Sequence, residues 1–137
     1  MLAVSIKNLS HKINNTPILN DVNFELKKDS IACILGPSGS GKTTLLKLIA
    51  GLNKVQNGQI FINDQEVSSA KNHLPTEKRR IGFLFQDYAL FPHLTVKENL
   101  KYPINFKNSI YNIDDIIDVV KLPDSLEKYP HELSVGA

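Results

Sequence analysis

The chain has 137 residues, of which 42% are hydrophobic and 22% are charged, and its formal net charge is +2 at pH 7. These values are ordinary for one soluble globular domain, and so small a net charge argues against a nucleic-acid-binding surface. No apolar run reaches the roughly 20 residues of a membrane-spanning helix, so a role at a membrane requires a partner. The single cysteine, Cys33, cannot form an internal disulfide, and its apolar neighbours predict a buried position in a cytosolic protein.

The N-terminal part of the chain predicts two antiparallel strands. Residues 2–9 alternate in part between apolar and polar side chains, and residues 18–26 do so more regularly. The polar stretch between them contains Asn14 and Asn15, a pair typical of a turn. Residues 27–29 then lead the chain towards its most informative motif.

That motif is residues 36–43, Gly-Pro-Ser-Gly-Ser-Gly-Lys-Thr, which fits the Walker A or P-loop pattern. Residues 31–35 are all apolar and predict a buried strand before it. Residues 44–50 predict a helix after it, closed by Gly51. Glycines let successive backbone N–H groups turn inwards around phosphate oxygens, and a helix N-terminus favours negative charge. In this pattern the lysine, Lys42, reaches the β- and γ-phosphates, and the hydroxyl of Thr43 binds Mg²⁺.

The middle of the chain predicts further β-structure and a basic segment. Asn57 and Gly58 are typical of a turn, residues 59–62 predict a strand, and residues 63–64 predict another turn. Residues 78–80 read Lys-Arg-Arg. Such a run either contacts an anion or a partner or lies in a solvated loop, and the sequence leaves both open.

The C-terminal part predicts one strand and two helices. Residues 81–85 are apolar and predict a strand. Thr95 and Glu98 have the spacing of a capping box, which predicts a short helix that Pro103 ends. Isoleucines and a valine at positions i, i+3, i+4 and i+7 predict an amphipathic helix over residues 113–121.

Three motifs in this order resemble the ATPase subunits of ATP-binding cassette (ABC) transporters. After the Walker A loop, residues 81–100 with Gln86 resemble that family's Q-loop region, and residues 129–137 resemble the approach to its signature. The resemblance is to importers for iron(III), polyamine, molybdate, sulfate or sugar. It implies an α/β fold, a P-loop NTPase core with an antiparallel N-terminal β-subdomain and the start of an α-helical subdomain. The expected division is residues 1–86, β-rich with the P-loop, and residues 87–137, with the Q-loop and an incomplete helical subdomain.

The resemblance also implies the site residues and cofactors, ATP and Mg²⁺. Gln86 and Lys42 are expected to act in hydrolysis, and Thr43 and Gln86 are expected to bind Mg²⁺. Ile13 matches a position at which the family usually stacks an aromatic ring on adenine, and it offers apolar contact without a π-face. The remaining contacts to ATP are expected from the loop and the start of its helix: Gly36, Pro37, Ser38, Gly39, Ser40, Gly41, Lys42, Thr43 and Thr44.

The expected partners are a membrane permease and a second ATPase subunit, with no nucleic acid. The surface around Tyr88, Phe91 and Leu94 is expected to form part of the groove that receives a permease helix. Packing in the core of the helical subdomain is the alternative for these three side chains. The resemblance places such a subunit in the cytoplasm, at the inner face of the cell membrane.

Two departures from the family pattern lie near the end of the sequence. Val135 and Ala137 stand where the signature Leu-Ser-Gly-Gly-Gln has its first glycine and its glutamine. A β-branched residue there crowds the approach of backbone amides to a phosphate. The family's Walker B strand, its Asp and Glu and the switch His have no match in these residues. We therefore expect a fragment or an early frameshift product that binds ATP but does not hydrolyse it.

Three alternatives compete with the importer ATPase: two other kinds of P-loop enzyme and a non-catalytic module. A GTPase needs an Asn-Lys-x-Asp guanine-binding motif, and residues 53–56 lack the Asp. A nucleotide kinase needs an arginine-rich lid, for which only Arg79 and Arg80 are present. A non-catalytic module that binds nucleotide or permease is the third alternative, and an ATPase assay distinguishes it.

Overall fold

The computed structural model describes residues 1–105 and 112–134. The chain divides into two compact units, Met1–Phe83 and Leu84–Ala137. Among the described residues, no helix combines the length and the apolar composition that crossing a bilayer requires.

The first unit is built on a four-stranded antiparallel sheet with the strand order β2-β1-β3-β4. The first two strands are longer than the sequence predicts, and Asn14 and Asn15 form the turn between them, as predicted. The strand bounds are β1 Leu2–Ile13, β2 Thr16–Lys27, β3 Asn57–Ile62 and β4 Gln65–Ser69.

Helix α1, Lys42–Ala50, is the only α-helix described in the first unit. Gly51 ends it in the left-handed conformation, as the sequence predicts. The buried side chains of Leu45 and Leu48 join the apolar face of the sheet in one core. Each large apolar side chain removed from water stabilises the fold by about 1.5–3 kcal/mol, so this core attaches the helix to the sheet.

Residues 31–35 do not form the predicted strand, and neither do residues 81–85. Ile31 is fully exposed, and Cys33 is also exposed rather than buried. A buried strand is stable only with hydrogen-bonded neighbours, and the described β-ladders pair only β1 with β2, β1 with β3 and β3 with β4. Apolar composition was therefore insufficient to form a strand at either position.

Asn57 and Gly58 do not form the predicted turn but begin β3. Gly58 has φ +96°, and a β carbon there would lie 2.6 Å from the α carbon of Leu9 on the neighbouring strand. The glycine is therefore required by the close approach of β1. Residues 63–64 do form the predicted turn, which leads into β4, a strand that the sequence did not indicate.

The second unit contains α2, Val96–Lys101, and α3, Ile113–Val120. Both predicted capping-box hydrogen bonds are present at the start of α2, between Thr95 and Glu98. The predicted amphipathic helix is confirmed as α3, which Asn112 caps through its side chain. Single 3₁₀ turns complete the described elements: Thr76–Lys78 in the first unit, and Tyr102–Asn105, Pro123–Ser125 and Pro130–Glu132 in the second.

Candidate nucleotide-binding site

The loop of residues 36–41 has the backbone that its glycines predict. Gly39 and Gly41 both have positive φ, at +81° and +93°. A β carbon on Gly36 would lie 2.6 Å from Ser40 Oγ, so a larger residue there would displace the Ser40 side chain. The N–H of Ser40 donates to the carbonyl of Pro37 at 3.2 Å and closes the turn.

The start of α1 leaves backbone donors free to bind an anion. Its first hydrogen bond runs from Leu45 N–H to Gly41 O at 2.9 Å, so the amides of residues 42–44 precede the helical ladder. Gly41 provides no side-chain cap, and the first turn contains no acidic residue. Unpaired N–H groups and the helix dipole together favour phosphate at such a terminus.

Lys42 folds back over the loop. Its ammonium nitrogen donates to the carbonyl oxygens of Gly36 at 2.6 Å and Pro37 at 2.7 Å, and it lies 3.3 Å from Ser40 Oγ. The charge is thus held above the cradle by weak neutral acceptors. Phosphate oxygens are stronger acceptors for an ammonium group, so the geometry suits exchange of these bonds for a nucleotide.

Strand β2 supports the loop from the side. A β carbon on Gly41 would lie 2.9 Å from Ile18 Cγ2 and 2.9 Å from Leu19 Cδ2. Leu19 also lines a cavity of about 210 Å³ between β1, β2 and the start of β3. The buried His11 lines the same cavity, and its Nδ1 has no hydrogen-bond partner among the described residues.

Ile13, the expected adenine contact, is the last residue of β1 and pairs with Thr16. Its side chain is 45% exposed, so a flat ring could rest against it. Thr43 is exposed, and its hydroxyl is accessible to a cation. In the part of the chain that the structure describes, no three His, Cys, Asp or Glu side chains gather into a metal site. A hydroxyl oxygen such as that of Thr43 is nevertheless a ligand that suits a hard cation such as Mg²⁺.

The other predicted site residues belong to the second unit. Gln86 lies exposed in a turn. Tyr88 is 70% exposed and has positive φ, at +62°. Phe91 is half-buried, and its ring packs 4.5 Å from the ring of Tyr102. Leu94 is also half-buried.

Asn99 fixes the loop that holds Phe91, a role that no pattern in the sequence indicated. Its Oδ1 accepts from Phe91 N–H at 2.9 Å. Its Nδ2 lies within 3.1 Å of the carbonyl oxygens of Phe91, Leu94 and Thr95. Only the tertiary structure shows that one amide joins the loop to α2.

The three basic side chains of residues 78–80 lie in different environments. Lys78 and Arg80 are exposed, whereas Arg79 is only 3% exposed. Burial lowers the pKa of the Arg79 guanidinium from its usual range. Neither predicted alternative, anion contact or solvated loop, describes Arg79, because its donors bind groups inside the protein. Val135 and Ala137, the departures from the signature, lie outside the described residues.

Comparison with known proteins identifies relatives among import ATP-binding proteins. The chain is 38% identical, over 97% of its length, to the spermidine/putrescine import ATP-binding protein PotA of Thermotoga maritima, of which it covers 36%. It is 36% identical, over 98% of its length, to the sulfate/thiosulfate import ATP-binding protein CysA 1 of Agrobacterium fabrum, of which it covers 40%. The chain thus spans well under half the length of these two relatives.

The fold comparison agrees with this result. The dimeric ATP-binding cassette MJ0796, in a post-hydrolysis state with ADP and Pi, superimposes with a TM-score of 0.77 at 29% identity. The match covers 96% of this chain and 63% of that one. It confirms the predicted α/β fold of a P-loop NTPase core with an antiparallel N-terminal β-subdomain. A family model described as ABC transporter matches residues 19–137. The chain therefore belongs to the ABC transporter family and contains part of its ATPase domain.

Proposed function

We propose that this chain is the ATP-binding part of an ABC importer subunit, which couples ATP binding and hydrolysis to solute uptake through a membrane permease. The observation that supports this most directly is the position of Lys42 over a glycine-built loop. Its ammonium and the free amides at the start of α1 converge on one small region. A positive charge beside free backbone amides suits the anionic phosphates of a nucleotide.

Different residues are proposed to bind different parts of the nucleotide. The loop and first helical turn, Gly36 to Thr44, bind the phosphates, and Ile13 lies against the base. Thr43 and Gln86 provide oxygen ligands for Mg²⁺, which when bound would neutralise charge between the β- and γ-phosphates. Gln86 and Lys42 are the catalytic candidates.

The proposed partners are a permease and a second ATPase subunit. Tyr88, Phe91 and Leu94 form the proposed permease contact, and the exposure of Tyr88 supports this. The proposed location is the cytoplasmic face of the cell membrane, where the nucleotide is present and the permease can be reached. The names of the relatives do not decide the solute, because a polyamine importer and a sulfate importer are 38% and 36% identical to the chain.

We do not expect these 137 residues to hydrolyse ATP by themselves. Groups that hold the substrate equally in the ground and transition states lower its dissociation constant without raising turnover. The chain provides the phosphate cradle, but it contains no acidic residue matching the general base of the family. Such a base typically raises the reaction rate by about a hundred- to ten-thousand-fold.

Calorimetric titration of the purified chain with ATP and Mg²⁺ tests the proposal. Lys42→Ala removes a charge-assisted contact worth about 1.5–3 kcal/mol, so ATP affinity should fall at least about tenfold. Lys47→Ala is the matched control, because it removes the same charge from the last turn of the same helix. Equal affinities in the wild type and Lys42→Ala would refute the phosphate site.

A further inference from the structure

Arg79 is buried and makes hydrogen bonds to three separate parts of the first unit. It follows the single 3₁₀ turn Thr76–Lys78 and is 3% exposed. All three of its guanidinium nitrogens are engaged. The acceptors are the carbonyl oxygens of Leu74 (2.7 Å), Leu48 (3.2 Å), Ile49 (3.0 Å) and Val67 (3.1 Å) and the hydroxyl of Ser68 (2.7 Å). The Nη2 atom also lies 3.4 Å from Nδ1 of His73.

None of these partners is a carboxylate. A buried cation without a counter-ion is costly unless hydrogen bonds replace its water shell. Here part of the compensation comes from α1, because Leu48 and Ile49 are among the last four residues of that helix. Their carbonyls have no partner within the helix and lie at the negative end of its dipole.

The other contacts attach that end of α1 to the rest of the unit. Val67 and Ser68 belong to β4, and Leu74 precedes the 3₁₀ turn. One planar guanidinium thus joins the C-terminus of the helix to an edge strand and to a loop. The same helix begins at Lys42 and contains nine residues, about 13 Å of rigid structure.

We propose that Arg79 is a positioning residue for phosphate binding. It holds the C-terminal end of α1 and so sets where the N-terminal end presents Lys42 and the amides of residues 42–44. This inference rests on the proposed ATP-binding function, since it assigns a role in that same site. Without Arg79, the carbonyl of Ile49 loses a donor and that of Leu48 keeps the one from Gly51 N–H, so this end of α1 is released from β4 and can shift or fray. Either change displaces the phosphate-binding groups.

The experiment compares ATP affinity with the folded fraction in Arg79→Met and Arg79→Lys. Methionine keeps an apolar stem of similar length and provides no donor. Lysine provides donors from one nitrogen, and these cannot span all the acceptors. We expect ATP affinity to fall at least tenfold in Arg79→Met and by a smaller factor in Arg79→Lys. Circular dichroism at the temperature of the titration gives the folded fraction of each variant.

A role in stability alone predicts a different result. In that case apparent affinity falls only by the unfolded fraction, and a variant that is nine-tenths folded binds ATP almost normally. Ile62→Ala is the control for general destabilisation, because Ile62 is buried in β3 and makes no hydrogen bond through its side chain. This control should reduce stability while the folded protein keeps its ATP affinity.

The results for the variants distinguish a positioning role of Arg79 from a role in stability alone. Wild-type-like ATP affinity in folded Arg79→Met would overturn the inference, as would an equal loss of affinity in folded Ile62→Ala. If Arg79→Met does not fold, Arg79→Lys and Ser68→Ala take its place. Ser68 is fully buried, and Ser68→Ala removes one hydrogen bond to the guanidinium, so we expect at least a twofold loss of ATP affinity. If the wild type itself binds no ATP, the proposed function fails first and this inference fails with it.

Discussion

Arg79 lies directly over Gly51, the residue that ends α1. A β carbon on Gly51 would come within 2.6 Å of Arg79 Cζ, and Gly51 has φ +81°. Glycine is therefore required there for two independent reasons, backbone conformation and the space taken by the guanidinium. Both residues bind the same carbonyl oxygen at the end of the helix. Gly51 N–H donates to Leu48 O at 3.2 Å, and Arg79 Nη1 donates to the same oxygen.

Gly51→Ala should destabilise the chain more than Gly39→Ala does. Gly39 has the same φ of +81°, but nothing lies within 4 Å of a β carbon placed there. Backbone strain of about 1 kcal/mol is common to both variants. Displacement of the guanidinium should add about 1–2 kcal/mol at Gly51 alone, since buried carbonyls then lose donors. Urea unfolding measures the stability of both variants. Equal losses of stability would show that the Arg79 side chain moves aside at no cost.

Ile13→Tyr should tighten ATP binding. Stacking of a base on an aromatic ring is worth about 1–3 kcal/mol in nucleic-acid complexes, and we expect the low end at this half-exposed site, about fivefold in affinity. Lys12→Tyr is the control, because successive side chains of a strand point to opposite faces. Calorimetry that finds no gain for Ile13→Tyr, or an equal gain for Lys12→Tyr, would show that the base binds elsewhere.

Asn99→Asp should destabilise the loop around Phe91. The change keeps the acceptor for Phe91 N–H but directs a carboxylate at three carbonyl oxygens that Nδ2 now serves. We expect a loss of about 2 kcal/mol. Asn112→Asp is the matched control, since Asn112 caps α3 by accepting from Asp114 N–H and aspartate caps equally well. Urea unfolding of both variants tests this, and similar midpoints would contradict it.

His73 should make stability depend on pH. Burial, then Arg79, then Lys54 lower its pKa, and a hydrogen bond with the backbone of Gly51 partly opposes them. The unfolded chain binds a proton near pH 6.5, whereas the folded chain does so only at lower pH. Stability contributed by neutral His73 is therefore present above pH 6.5 and is lost as pH falls from 6.5 through its folded pKa.

Urea unfolding from pH 7.5 to pH 5 measures this effect. His73 Nδ1 lies 3.4 Å from Arg79 Nη2. His73→Asn keeps an acceptor there and should flatten the pH dependence of stability over that window. Lys54→Gln should keep most of it, because Lys54 is the smallest of the three causes. An unchanged slope in His73→Asn would show that another group is responsible.

The sequence by itself determined the features that local chemistry controls. The phosphate loop requires glycine and lysine at fixed spacing, and its backbone has the positive φ angles that those glycines permit. Gly51 ends α1, and Thr95 and Glu98 start α2, because caps depend on residues within one helical turn. Periodicity likewise located α3.

The tertiary structure decided the features that depend on distant partners. Arg79 appeared in a basic run typical of a surface, yet its acceptors on α1 are 30 and 31 residues away. Gly58 appeared typical of a turn but is required by the close approach of Leu9. Residues 31–35 have the composition of a strand and remain outside the sheet. For Arg79 and Gly58 the deciding interaction is a hydrogen bond or a close contact with a residue far along the chain. For residues 31–35 it is the lack of a neighbouring strand among the described ladders. Local pattern contains no information about either.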